Sequence, residues 1–311
     1  MNHRGFTLTE LMIAMAAASI LMAGVFGVFI SQQRIRADQQ LVVEMQQNLR
    51  STLALLQAEI RLAGFDPTWT DSDGDGRDDN RLSDGVDNDC DGLVDLPADM
   101  DEDRNVAGIV KAGPHRIQIR LDRDGNADFC GSAELVEFGF ARSADRNHDG
   151  IADAGIARLN RGFRGRALNQ PVGEGLQAVV FAYAFDRDGS GGWPDGEIDI
   201  HEKGIIWAYD ADGDGRLDTA LDTDQNGRID LADDTNGDGI LNDRSLDRPV
   251  SLESIRAARV WLLGRTRAPL RGHVRADVRV AGSRILVPPA GDRYGRMMLT
   301  GVAACRNLGL R

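Results

Sequence analysis

MNHRGFTLTELMIAMAAASILMAGVFGVFI, residues 1–30, runs straight into SQQRIRADQQLVVEMQQNLRSTLALLQAEIRLAG, residues 31–64. From Leu11 to Ile30 there are twenty residues without a charge, enough to cross a bilayer as a helix. A secretory signal peptide would also be short, charged and then apolar. Two features argue against it. Glu10 stands at the start of the apolar run, where a signal peptide prefers positive charge, and no small-residue cleavage site closes the run. The continuation is helical instead. Val42, Met45, Leu49, Leu53, Leu56 and Ile60 recur at spacings of three and four and form one apolar stripe. Gly64 is a natural stop, with Pro67 just beyond. The expectation is one helix over residues 6–64, about 90 Å long, half apolar and half amphipathic.

Downstream, alternation points to strands. HRIQIRL (115–121), ELVEFGFA (134–141), GLQAVVFAYAF (175–185), ARVWLLGRT (258–266) and YGRMMLTGVAAC (294–305) each place apolar residues on one face. A short helix is expected around 251–257. The fold class is therefore α+β: a long N-terminal helix, membrane-spanning and then amphipathic, packed on an antiparallel β-sheet, with Asp/Gly-rich loops inserted.

Those loops carry the charge. The 311 residues have a net charge of −13, but residues 66–103 hold 15 acidic and 2 basic residues, and residues 186–247 hold 18 acidic and 5 basic. The rest of the chain is mildly basic. Both acidic blocks would repel phosphate, so a nucleic-acid partner is not expected. They would also repel themselves unless cations neutralise them. A bland alternative is a pair of solvated loops.

Residues 209–243, YDADGDGRLDTALDTDQNGRIDLADDTNGDGILND, repeat Asp-x-[Asp/Asn]-x-[Asp/Asn]-Gly at an interval of twelve. A hard cation such as Ca²⁺ takes six to eight oxygens, which an EF-type loop supplies from positions 1, 3, 5, a carbonyl at 7, position 9 and often an acid at 12. The first repeat offers Asp210, Asp212, Asp214, the Arg216 carbonyl and Asp218. The second offers Asp222, Asp224, Asn226, the Arg228 carbonyl and Asp230, with Asp233 at position 12. The third offers Asp234, Asn236, Asp238, the Ile240 carbonyl and Asn242. Position 8 is apolar each time (Leu217, Ile229, Leu241), which would pin each loop to a core. The same grammar occurs at Asp71, Asp73, Asp75 and Asp79, at Asp87, Asp89, Asp91 and Asp95, and at Asp145, Asn147, Asp149 and Asp153. Asp186, Asp188 and Ser190 open a further loop that reaches Glu197 at position 12. LDRDGNAD (121–128) is a degraded copy, with Ala127 where glycine should stand. Asp-Gly and Asn-Gly are ordinary turn formers, so one match alone means little. Three in register, with others outside, favour several structural Ca²⁺ sites. Most loops lack Glu at position 12, which implies modest affinity, on the order of 0.1–1 mM.

The tandem layout resembles dockerin and thrombospondin type 3 calcium repeats, and DGVDNDCDGLVD (84–95) resembles a metal-binding motif of bacterial surface proteins. Arg4-Gly5-Phe6-Thr7-Leu8-Thr9-Glu10 strongly resembles the processing signature of the type IV pilin family. That resemblance implies cleavage after Gly5 by prepilin peptidase, N-methylation of Phe6, and a role for Glu10 in meeting the N-terminal amine of an adjacent subunit during filament assembly. Major pilins commonly have proline where this chain has Gly27; Gly24 and Gly27 could let the helix loosen there. PVGEGLQAVVFAYAFD, RVWLLGRT and RYGRMMLTGVAACRNLGL narrow the resemblance to large minor pilins of the PilW type.

The organisation expected from these readings is a leader at 1–5, a pilin helix at 6–64 (transmembrane at about 11–30), an acidic calcium-loop insert at 65–106, head sheet at 107–185, a second acidic insert at 186–247, and the rest of the head at 248–311. The implied function is a minor pilin that initiates or caps type IV pilus assembly, with a calcium-stabilised head. The implied partners are other pilins, prepilin peptidase and the inner membrane. The location would be single-pass in the inner membrane with a periplasmic head, then the extracellular pilus at its tip. A type II secretion pseudopilin and a calcium-dependent tip adhesin are the alternatives. The five histidines are scattered with no HExxH or Cys-His cluster, and no enzyme is expected. Of the three cysteines, Cys130 and Cys305 lie beside expected strands and are the expected disulfide, with Cys90 left free or pairing between chains.

Overall fold

The computed structural model describes residues 7–67, 108–126, 129–163, 167–187, 198–201, 204–242, 244–271, 278–305 and 307. One helix, α1 (Leu8–Arg61), runs unbroken for 54 residues, about 80 Å. Thr7 caps it. Its hydroxyl accepts the Glu10 N–H, and the Glu10 carboxylate accepts the Thr7 N–H at 2.9 Å. The helix passes through Gly24 and Gly27 without interruption. It ends where expected: Gly64 adopts φ +78°, a left-handed conformation that glycine enters without steric cost, and its N–H donates to the Arg120 carbonyl.

Fourteen strands follow among the described residues: β1 (Gly108–Ala112), β2 (Ile117–Arg120), β3 (Leu135–Phe140), β4 (Ala157–Phe163), β5 (Gln170–Phe185), β6 (Ile200–His201), β7 (Gly204–Ile205), β8 (Ala208–Tyr209), β9 (Arg216–Ala220), β10 (Arg244–Ser251), β11 (Ile255–Arg265), β12 (Arg279–Ala281), β13 (Arg284–Leu286) and β14 (Arg296–Ala304). Ten form one antiparallel sheet. Its order is β1-β2-β3-β4-β5-β8-β9-β10, with β11 on the other edge of β5 and β14 beyond β11. All five expected strands are present. The helix expected around 251–257 is instead a single 3₁₀ turn at Leu252–Ser254, and Ile255 onward is strand. Ile255, Val260 and Leu262 are fully buried there, and pairing with β5 and β14 outweighs local helical tendency. In the second acidic segment β8, β9 and β10 extend the main sheet from Tyr183 of β5.

The two halves of α1 have different surroundings. Met45, Leu49, Leu53, Leu56 and Ile60 are buried against the sheet, and Val42 is half-buried on the same stripe. Three strands meet the helix with glycine. A methyl group built on Gly173 of β5 would lie 2.2 Å from the Thr52 hydroxyl, on Gly264 of β11 2.9 Å from Leu49, and on Gly301 of β14 2.7 Å from Gln57. These glycines form a trough in which the helix sits close to the sheet. Glu59 fastens its end, pairing with Arg161 at 3.0 Å and Arg123 at 3.3 Å.

Candidate functional site

The first half of α1 has the opposite character. Every residue from Leu8 to Ile30 is exposed, including Leu8, Met12, Ile20, Leu21, Val25 and Phe29. Among the described residues this is the one helix long and apolar enough to cross a membrane, with a mean hydropathy of 2.4 over its most apolar stretch. An exposed apolar patch this large marks a surface that a membrane or a partner protein covers. Glu10 stands at its start with one carboxylate oxygen engaged by the Thr7 N–H and hydroxyl, at 2.9 and 2.8 Å. Gly5 and Phe6 lie outside the described residues.

The four acidic loops among the described residues share one local geometry. In the loop that begins at Asp210, the two oxygens of that carboxylate accept the N–H groups of Gly213 and Gly215. Asp212 accepts from Asp214, and Asp214 from Arg216. Asp218 reaches back to the Ala211 N–H. Asp234, Asn236 and Asp238 repeat the pattern with Gly237, Gly239 and Ile240. So do Asp222, Asp224 and Asn226, and again Asp145, Asp149 and Asp153. Position 6 is a left-handed glycine in all four (Gly150, Gly215, Gly227, Gly239), which turns successive side chains inward. Position 4 is left-handed as well, and in two loops it is not glycine: His148 has φ 59° and Gln225 φ 58°. Such residues are uncommon there. Leu217 and Leu241 at position 8 are fully buried and Ile229 is half-buried, so the pinning expected of that position is present.

Not every loop gathers its acids. Ligand oxygens of Asp210, Asp212 and Asp218 lie within 4.8 Å of one another, and so do those of Asp222, Asp224 and Asp233. In the second loop Asp233 at position 12 joins the cluster, while Asp230 caps the 3₁₀ turn Leu231–Asp233 by accepting from Ala232. A third such group was not singled out in the sequence: Asp122 and Asp124, from the degraded copy, converge with Glu134. Ala127 in place of glycine argued against that segment, and the third acid comes from twelve residues after Asp122. Burial pushes the Glu134 carboxyl above its usual range, against the lowering effect of the Arg123 and Gly131 N–H groups.

Some of the loop acids meet counter-charges. Asp149 faces Arg284 at 3.8 Å, Asp153 faces Arg146 at 3.9 Å, and the fully buried Asp186 faces Arg256 at 3.4 Å. Asp210, Asp212, Asp218, Asp222, Asp224 and Asp233 have no arginine or lysine partner among the described residues. Burial raises the Asp210 carboxyl above its ordinary range, and Asp214 and Asp218 add to the rise. The same holds for Asp222, raised first by burial and then by Asp233 and Asp224. Converging carboxylate oxygens without internal counter-charge fit a hard divalent cation. Asp71, Asp73, Asp75, Asp79, Asp87, Asp89, Asp91, Asp95, Asp188, Ser190 and Glu197 lie outside the described residues.

The expected bridge between Cys130 and Cys305 is not formed. Cys130 is disulfide-bonded, which uses its one available valence, while Cys305 is a free thiol. Cys305 follows β14 directly with its side chain turned into the core, and its N–H donates to the Arg256 carbonyl. Burial pushes that thiol up to about 12. Proximity to a strand had suggested the pairing, but it does not reveal which face a side chain takes. Cys90, the remaining cysteine of the chain, lies outside the described residues.

The chain carries the prokaryotic N-terminal methylation motif, matched over residues 1–26. Among solved structures, it is similar to the type IV-like pilin TTHA1219 from Thermus thermophilus, at 15% identity and a TM-score of 0.37, over 85% of this chain and 96% of that one. No curated protein matches the chain.

Proposed function

We propose that this protein is a minor type IV pilin. Its leader is cut between Gly5 and Phe6 by prepilin peptidase, Phe6 is methylated, and the chain waits as a single-pass protein of the inner membrane with its head in the periplasm. It then enters a pilus through α1, with Glu10 meeting the N-terminal amine of a neighbouring subunit. A carboxylate at the start of an apolar bundle needs such a partner. The observation that carries this reading is the division of one unbroken helix: residues 45–60 bury a stripe in the head, whereas residues 8–30 are apolar and exposed throughout. The methylation motif lies at the start of that exposed half. A large head with long side loops suits an initiating or capping subunit at the tip.

The loops stabilise that head by holding Ca²⁺. Asp210, Asp212 and Asp218 would hold one ion, and Asp222, Asp224 and Asp233 another. A bound ion supplies positive charge to carboxylates that otherwise repel one another, and the side chains already point inward to receive it. The decisive experiment is deletion of the gene, with a complemented strain, followed by quantification of filaments sheared from the cell surface. Loss of filaments, restored on complementation, is the expected result. Normal filaments would refute the assembly role.

A further inference from the structure

Sheet edges are hazards that folded proteins usually blunt with charge, proline or a bulge. One end of the sheet is protected in this way. β10 carries Asp247, Arg248 and Pro249, and its register with β9 breaks between Ser245 and Val250. β14 is different. It pairs with β11 over nine consecutive residues with no bulge, and from Met297 to Cys305 it has neither charge nor proline. The Cys305 N–H donates to the Arg256 carbonyl, which sets the phase of the antiparallel ladder. Residues 297, 299, 301 and 303 therefore bond to β11, and Met298, Thr300, Val302 and Ala304 turn their N–H and C=O groups outward. Among the described residues only Gln57 reaches this row, donating to the Val302 carbonyl at 2.9 Å. The side chains of Met298, Thr300, Val302 and Ala304 are exposed.

We infer that the outer edge of β14 accepts a β-strand from a different membrane-anchored subunit, so that the sheet continues from one subunit into the next. Outward N–H and C=O groups at two-residue spacing recognise extended peptide backbone. The uncharged run selects a strand that is itself uncharged, with apolar side chains beside Met298 and Val302. The direction of β14 excludes a second copy joined through the same edge. Met45 and Leu49 face Gly264, the partner of Met297; Leu53 and Gln57 face Gly301; and Asn307 reaches the carbonyls of Arg61 and Ala63. The strand thus runs the same way as α1. Two copies joined edge to edge by β14 would be related by a two-fold axis and antiparallel, which would send their apolar helices in opposite directions. They could not share one membrane. The charged, proline-bearing edge at β10 cannot supply the missing strand either. Nor can β1, which is five residues long, carries Lys111, breaks register between Ile109 and Lys111, and has its Ala112 carbonyl taken by the Asp210 N–H.

This inference rests on the pilin reading, and the test separates the two. Full-length Thr300→Pro removes one outward N–H without touching the bonds to β11, Thr300→Ala retains that N–H, and Met298→Lys places a charge on the edge. Each is expressed in the deletion strain beside Glu10→Ala, and this chain is quantified in sheared filaments. Thermal melting of each purified protein in detergent reports on folding. The expected result is a loss of about tenfold or more in filament-associated protein for Thr300→Pro and Met298→Lys, wild-type levels for Thr300→Ala, and unchanged melting. If Thr300→Pro lowers the melting temperature, Met298→Lys decides alone. Wild-type incorporation of the edge variants while Glu10→Ala fails would overturn the inference and leave the pilin reading intact. Wild-type incorporation of Glu10→Ala as well would overturn both. In a Thr300→Cys variant oxidised in cells, a disulfide-linked homodimer would also overturn it.

Discussion

Replacing Gly173 with alanine tests whether the glycine trough sets the position of the helix. The added methyl would sit 2.2 Å from the Thr52 hydroxyl, 2.6 Å from its methyl and 2.9 Å from its Cβ. Thr52 cannot swing away cheaply. It is fully buried, β-branched, and its hydroxyl donates to the Asn48 carbonyl at 2.7 Å. The helix or the strand must therefore move, and overpacking of this kind costs about 1–3 kcal/mol. For a chain of this size that lowers the melting temperature by roughly 2–6 °C. Thermal melting of the full-length protein in detergent, followed by circular dichroism, measures it. Thr52→Ala removes the two nearest obstacles, so the double variant should recover most of what Gly173→Ala loses. A negative coupling of about 1 kcal/mol or more in the double-mutant cycle is expected. An unchanged melting temperature for Gly173→Ala, or strictly additive losses in the double variant, would refute the close-packed trough.

Two further perturbations probe charge. Addition of 10-fold excess Ca²⁺ over its dissociation constant should stabilise the head by about 1.4 kcal/mol per occupied site; Asp212→Asn and Asp224→Asn should each remove part of that gain in a melting experiment, while Asp149→Asn, whose carboxylate already faces Arg284, should remove less. The same melting temperature in Ca²⁺ and in chelator would sink the cation reading. The Arg296 guanidinium, 2.6 Å away, holds the Asp292 carboxyl below its usual range. Because the folded pKa lies below the unfolded one, this pair stabilises the protein fully above the ordinary aspartate pKa, and the contribution fades as pH falls through the folded value. Asp292→Asn should therefore cost about 1.5–3 kcal/mol near neutral pH and progressively less in acid; an equal cost at both ends would contradict the assignment.

Much of this architecture was legible because it is periodic. The stripe from Val42 to Ile60 and the alternation in β2, β3, β5, β11 and β14 each repeat often enough to override local ambiguity. What failed to show were elements held by partners distant in sequence. β4, whose residues half-alternate, exists because β3 and β5 flank it. Residues 255–257 had looked helical and became strand for the same kind of reason. The glycine trough was invisible as well, since Gly173, Gly264 and Gly301 look like turn or flexibility signals until three strands bring them under one helix.

The acidic loops show the limit most clearly. Their spacing identified where the four described loops turn and which residue at position 8 is pinned to the core, but not which N–H each carboxylate accepts. It could not show which loops have a counter-charge. The loop at 145–153 is strapped to β5, where the Gly150 carbonyl accepts the Val179 N–H and the Ala152 N–H donates to the Gln177 carbonyl. That placement brings Asp149 to Arg284, more than a hundred residues away in sequence. The loops at 210 and 222 flank β9, where no arginine or lysine among the described residues faces their position-1 and position-3 carboxylates. One motif thus takes different electrostatic settings: the loop at 145 meets arginine, the loops at 210 and 222 gather their acids, and the loop at 234 does neither among the described residues. The same reasoning applies to Asp122 and Asp124: Gly131 and Arg123 donate to Glu134 and hold it beside them, so the third acid of that group comes from outside the repeat and its spacing could not announce it.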